Sequence, residues 1–218
     1  MRHETSAFEA RSPAGALAAA TQAGTDRVTQ VDIIEGLGQV TTDFERRAAG
    51  IAPDQWGLPT PCEDWAVRDL VDHIIRGNRF AVLLLAGAQP AAAFAEVSAG
   101  DFGEPLSDLR SSGAEQLAAF RRPGALDTLC HHPRGDMPGA AFARLRLGDL
   151  LIHGWDLARA TGGDETLDER LVLAAYEAYA PVAQTIAKSG NFGAGPSGTL
   201  PADASPQLRL LDLTGRRP

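Results

Sequence analysis

The chain has 218 residues, 44% hydrophobic and 22% charged, a globular composition that excludes disorder over most of its length and fits one domain. Twenty Lys+Arg against 28 Asp+Glu leave a formal charge of −8. There is no basic stripe and no apolar run near the ~20 residues that cross a bilayer, so neither nucleic acid nor membrane is an expected partner. Two cysteines, Cys62 and Cys130, make no disulfide framework, and the chain reads as a cytoplasmic monomer or homodimer.

Residues 1–27, rich in Ala, Gly, Ser and Thr, read as a flexible leader; Glu4, Glu9 and Arg11 and the lack of a leucine-rich stretch exclude a signal peptide. A helical bundle is expected over 28–190, followed by a tail over 191–218 that can form one short helix in PQLRLLDLTGR. The first helix runs from Asp32 to about Ala49, with Ile33, Ile34, Leu37, Val40 and Phe44 at helical spacing. A loop, IAPDQWGLPTPCEDW, separates it from the clearest helix, Val67 to about Ala86. Gln89-Pro90 and the small residues after it close that helix. A third helix spans about Leu106–Arg122 and stops at Pro123-Gly124. Ala125–Gly139 reads as a loop with room for a short extended piece. A fourth helix covers about Ala141–Thr161, ended by Gly162-Gly163. A fifth runs from Asp168 to about Lys188, kinked or split at Pro181. The fold class is therefore all-α, a bundle of four or five helices with extra terminal helices or tails.

Of the five histidines, His73 and His153 fall inside the two strongest helices. Asp149 stands four residues before His153, so both side chains share one face. A carboxylate and an imidazole so placed can hold a divalent ion, with His73 from the other helix as third ligand and a coordination position left open. Spacing alone admits a second reading, in which Arg146, Asp149, His153 and Asp156 form an ordinary solvated face. Gly77 and Gly154, inside helices near these histidines, suggest a close approach by a ligand or a neighbouring helix. Cys130, His131 and His132 are adjacent on a turn and converge poorly on one ion. Trp65 and Trp155 read as packing anchors. Cys62 reads as an incidental cysteine or as a reactive thiol, and no base is paired with it in sequence.

Two motifs add to this: LPTPCEDWAVRDLVDHIIRGNRF (Leu58–Phe80) and, far downstream, LGDLLIHGWDLARATG (Leu147–Gly162). Together they resemble the actinobacterial metal-binding proteins of the DinB-like superfamily. The nearest branch is the amino-terminal domain of mycothiol-dependent maleylpyruvate isomerase, and the ending PADASPQLRLLDLTGRRP is similar to that branch as well. The resemblance implies a DinB-like four-helix bundle holding a divalent metal, zinc first and nickel or iron next, on His73, Asp149 and His153. It implies mycothiol as cosubstrate, its sulfur activated by the metal, and a small electrophile as partner. The branch usually has Glu where this chain has Asp149. The isomerase itself carries a further domain with no counterpart in these residues, so the implied activity is thiol-dependent transfer or isomerisation rather than that one reaction. A non-enzymatic bundle that binds metal or a small molecule is the alternative.

Overall fold

The computed structural model describes residues 32–100, 103–184, 187 and 195–218; the expected leader lies outside them. Helix α1 (Ile33–Ala49) starts where the Asp32 carboxylate accepts the backbone N–H groups of Ile34 and Glu35, both at 2.9 Å, satisfying two of the donors a helix start leaves open. Its Leu37, Val40, Phe44 and Ala48 form one buried stripe. Helix α2 (Val67–Leu85) buries Leu70, Val71, Ile74, Ile75 and Leu84. Helix α4 (Pro105–Phe120) contributes Leu109 and Phe120.

Helix α5 (Gly139–Thr161) is buried nearly all round, through Phe142, Leu147, Leu150, Ile152, Trp155 and Leu157 among others, which makes it the central helix of the fold. It ends at Gly162 with φ 72°, a left-handed cap that glycine adopts without penalty. α1 packs on α5 and α4, and α2 packs on α4 and α5. Those four helices close the expected bundle around one core. Helix α6 (Glu169–Tyr179), capped by Asp168, lies against α5, and helix α7 (Pro206–Leu213) lies against α6 and buries Leu210 and Leu211. Among the described residues no helix is long and apolar enough to cross a membrane.

One local expectation needs correction and two are made specific. Pro90–Ala99 is a helix, α3, rather than a closing stretch of small residues; Pro90 sits in its first turn, where a missing N–H costs nothing. The loop over 125–139 contains an antiparallel hairpin, β1 (Leu129–His132) with β2 (Gly135–Pro138), in register Cys130↔Met137 and His132↔Gly135. The fifth expected helix gives way at Ala180–Val182 to a 3₁₀ turn, because Pro181 has no N–H to continue the α ladder.

Candidate metal centre

His73 lies at the edge of the buried stripe of α2, beside Ile74, and Asp149 and His153 lie one turn apart on α5. The packing of α2 against α5 brings the three together. Asp149 Oδ1 stands 3.5 Å from His73 Nε2 and 3.5 Å from His153 Nε2, and the three donor atoms lie within 4.8 Å of one another. Those separations are long for hydrogen bonds. They suit ligands around a shared ion: with bonds of ~2.1 Å, tetrahedral ligand atoms stand ~3.4 Å apart. His153 is 3% exposed and Asp149 13%, while His73 keeps 36% of its side chain open. The solvated-face reading of Arg146, Asp149, His153 and Asp156 is therefore overturned.

The other nitrogen of His153 is occupied. Its Nδ1 donates to Asp156 Oδ2 at 2.9 Å, with Asp156 fully buried. A carboxylate behind a histidine in this way fixes the ring and turns Nε2 toward the ion. Asp156 in turn accepts from Arg216, Nε to Oδ1 at 3.1 Å and Nη2 to Oδ2 at 2.6 Å. Burial works against the charge of Asp156, but the hydrogen bonds from His153 and Arg216 outweigh it and hold its pKa at about 2. Burial likewise disfavours the charged form of His153, and the polar groups of Asp149, Asp156 and Cys62 around its ring outweigh that, raising its pKa well above 6.5. Asp149 follows the same pattern: desolvation is overcome by His73 and Arg146, and its carboxyl stays well below the usual range. His73 is lowered, desolvation exceeding the pull of Asp149.

Arg146, also buried, anchors Asp149 from the other side. Its Nη1 pairs with Asp149 Oδ2, its Nε donates to Gln116 Oε1 at 2.8 Å and its Nη2 to Asn78 Oδ1 at 2.9 Å. Asp149 Oδ1 is thus left facing the imidazoles. Gly77 makes the room: a Cβ there would fall 2.5 Å from Arg146 Nη1. What approaches Gly77 within the protein is this guanidinium rather than a helix backbone. A Cβ at Gly154 would meet only ordinary contacts, the nearest at 3.8 Å, so no close approach requires glycine there.

Trp65 belongs to the site. Its ring lies 4.8 Å from His73 and stacks at 5.8 Å on His153, centroid to centroid. The loop that presents it is pinned by Thr60, whose backbone N–H donates to Trp65 O at 3.0 Å. Trp155 is core, as expected. Cys62 has partners that sequence spacing did not show: Sγ donates to Asp156 Oδ2 at 3.3 Å, accepts from Arg216 Nη2 at 3.3 Å and lies 3.7 Å from His153 Nδ1. Cys62, His153 and Asp156 also have mutually close donor atoms, but the Arg216 cation occupies that side, so it is a hydrogen-bond network. Asp156 was readable as a partner from its three-residue spacing to His153. Trp65, Cys62 and Arg216 reach the site from distant segments and left no local signal.

A cavity of about 330 Å³ opens beside the cluster, with His73, Asp149 and Arg146 on one wall and Phe80, Phe94 and Phe142 on others. His132 also lines it; Cys130 is buried in the core and His131 pairs with Asp136 at 2.9 Å. The three hairpin residues do not converge.

The family model for the mycothiol maleylpyruvate isomerase N-terminal domain matches residues 37–158. The chain belongs to that family. The matched segment holds His73, Asp149, His153 and Asp156 and ends before Arg216. Two relatives, uncharacterized proteins from two strains of Mycobacterium tuberculosis, are each 32% identical over 130 residues, 60% of this chain and 68% of theirs. Crystal structures of the mycothiol-dependent maleylpyruvate isomerase are similar in fold. A histidine-to-alanine mutant gives a TM-score of 0.57 at 17% identity over 76% of this chain and 72% of that one. A second gives 0.56 at 17% over 71% and 68%.

Proposed function

We propose that this protein is a metal-dependent enzyme that uses mycothiol to transfer to, or isomerise, a small electrophile in the cytoplasm. The observation that carries the reading is the convergence of His73 Nε2, Asp149 Oδ1 and His153 Nε2 beside a cavity, with Asp156 bound to the far nitrogen of His153. Family membership supports mycothiol as the thiol. Two imidazoles and a carboxylate suit zinc, with nickel or iron also compatible. When bound, a divalent ion lowers the pKa of a thiol so that thiolate is available at neutral pH.

The rest is done by the chain's own residues. His73 Nε2 would offer a lone pair directly and His153 Nε2 would do so once a cation displaces its proton, and Asp149 offers a carboxylate that its surroundings keep ionised. Arg146 fixes the second oxygen of that carboxylate, and Asp156 fixes the ring of His153. Trp65 covers the two imidazoles, and Phe80, Phe94 and Phe142 give the cavity beside them an apolar wall for a small electrophile.

Tag-free protein is analysed for metal and assayed with mycothiol and a bimane or chloronitrobenzene electrophile. About one ion per chain, and turnover that needs both ion and thiol, are expected. Metal-free protein as purified, or turnover without thiol, overturns the reading.

A further inference from the structure

Arg216 follows α7, and the way that helix ends determines where its side chain goes. The N–H of Gly215 donates to Asp212 O at 3.0 Å and that of Arg216 to Leu211 O at 2.8 Å, with Gly215 at φ 81°. This paired closure reverses the chain at a left-handed glycine. The Arg216 side chain is then 5% exposed. Its Nη1 donates to Thr214 O at 2.8 Å, Nε and Nη2 grip both oxygens of Asp156, and Nη2 also reaches Cys62 Sγ. Arg217, one residue on, does something different: half exposed, it bonds Asp212 Oδ1 at 3.0 Å and Gly195 O at 2.7 Å.

We infer that Arg216 is a positioning residue for the metal centre, acting through Asp156 to set the ring of His153. A carboxylate gripped at both oxygens by a planar fork has one orientation. That orientation places Oδ2 2.9 Å from His153 Nδ1, and so fixes where Nε2 stands relative to Asp149 and His73. A buried ion pair is a poor device for stability alone, because apolar residues of similar size often do as well. Here the pair ends on a candidate ligand. The last residues of the described chain thereby complete a site whose ligands lie on α2 and α5. The inference rests on the metal reading above for its affinity measurement, though not for its spectroscopic one.

The test compares full-length wild type with R216M, R216K and R217A. Zinc affinity is measured by competition with a chromophoric chelator. The Nδ1 proton of His153 is followed by NMR in metal-free protein, with melting as the check on folding. R216M weakens zinc binding about 10- to 100-fold and abolishes the slowly exchanging Nδ1 proton, while R217A, which removes an anchor of the same segment without touching Asp156, changes neither. Should R216M fail to fold, R216K keeps the buried cation without the fork and shows the same two losses. Wild-type zinc affinity and an unchanged Nδ1 proton in a folded Arg216 variant overturn the inference, as does an R217A defect equal to that of R216M. If wild type binds no zinc, the metal reading fails by itself, and the Nδ1 proton alone decides whether Arg216 positions His153.

Discussion

The hairpin and the α2–α5 interface each carry three potential metal ligands, and they use them in opposite ways. Cys130, His131 and His132 are neighbours in sequence, yet strand geometry points successive side chains to opposite faces: Cys130 enters the core, His131 pairs with Asp136, and His132 lines the cavity. His73, Asp149 and His153 come from two helices far apart in the chain, yet their donor atoms meet. Closeness along the chain is a poor guide to convergence. One helical turn plus one helix–helix contact is a better one.

The largest expected effect sets the two regions directly against each other. His73→Ala and His153→Ala each abolish stoichiometric metal binding, whereas His131→Ala and His132→Ala leave it at one ion per chain, by metal analysis of the purified proteins. Full metal content in either of the first pair breaks the contrast. Next comes Asp149→Asn. Its amide oxygen still accepts from Arg146, so the fold persists and metal affinity falls by more than about a hundredfold, beyond the usual cost of losing an outer partner; chelator competition reads the change.

The fold was legible wherever a long helix buries large apolar residues, as a stripe or all round. The expected bounds of α1, α2, α4 and α5 lie within two residues of those found. α3 has no such stripe, since PAAAFAEVSA buries only Ala93 and Val97, and four-residue strands are too short to show alternation. At the site, the Asp149–His153 pair is local and could be read from spacing. The grip of Arg216 on Asp156 and the stacking of Trp65 on His153 depend on loops and a helix end docking from far along the chain, and no periodicity encodes them.

A smaller effect sharpens the structural role of the hairpin. Burial, followed by the nearby charges of Arg134 and Arg146, lowers the pKa of His132 from 6.5 to about 4, and its Nδ1 accepts the Arg134 N–H at 3.1 Å. The unfolded chain therefore binds this proton more readily than the folded one. The contribution is fully present above pH 6.5 and is lost as the pH falls toward 4. His132→Gln flattens the fall in melting temperature across that window; identical curves for variant and wild type remove His132 as its cause.

The smallest effect is at the cysteines' expense. Cys62 sits on the Nδ1 side of His153, away from the cluster at Nε2. Cys62→Ser keeps a donor for Asp156, so thiol-dependent turnover changes less than about twofold, below the ~0.5–1.5 kcal/mol that losing a whole hydrogen bond would cost. Loss of nearly all turnover would make Cys62 the nucleophile instead.

Gly77 and Arg146 constrain how this protein can change over time. A side chain at position 77 needs the space that the guanidinium fills, and shortening Arg146 leaves Asp149 without its ion-pair partner. The two positions share one volume, so substitutions at them are expected to be non-additive: what position 77 can hold depends on which side chain stands at 146, and the pair constrains divergence together rather than separately.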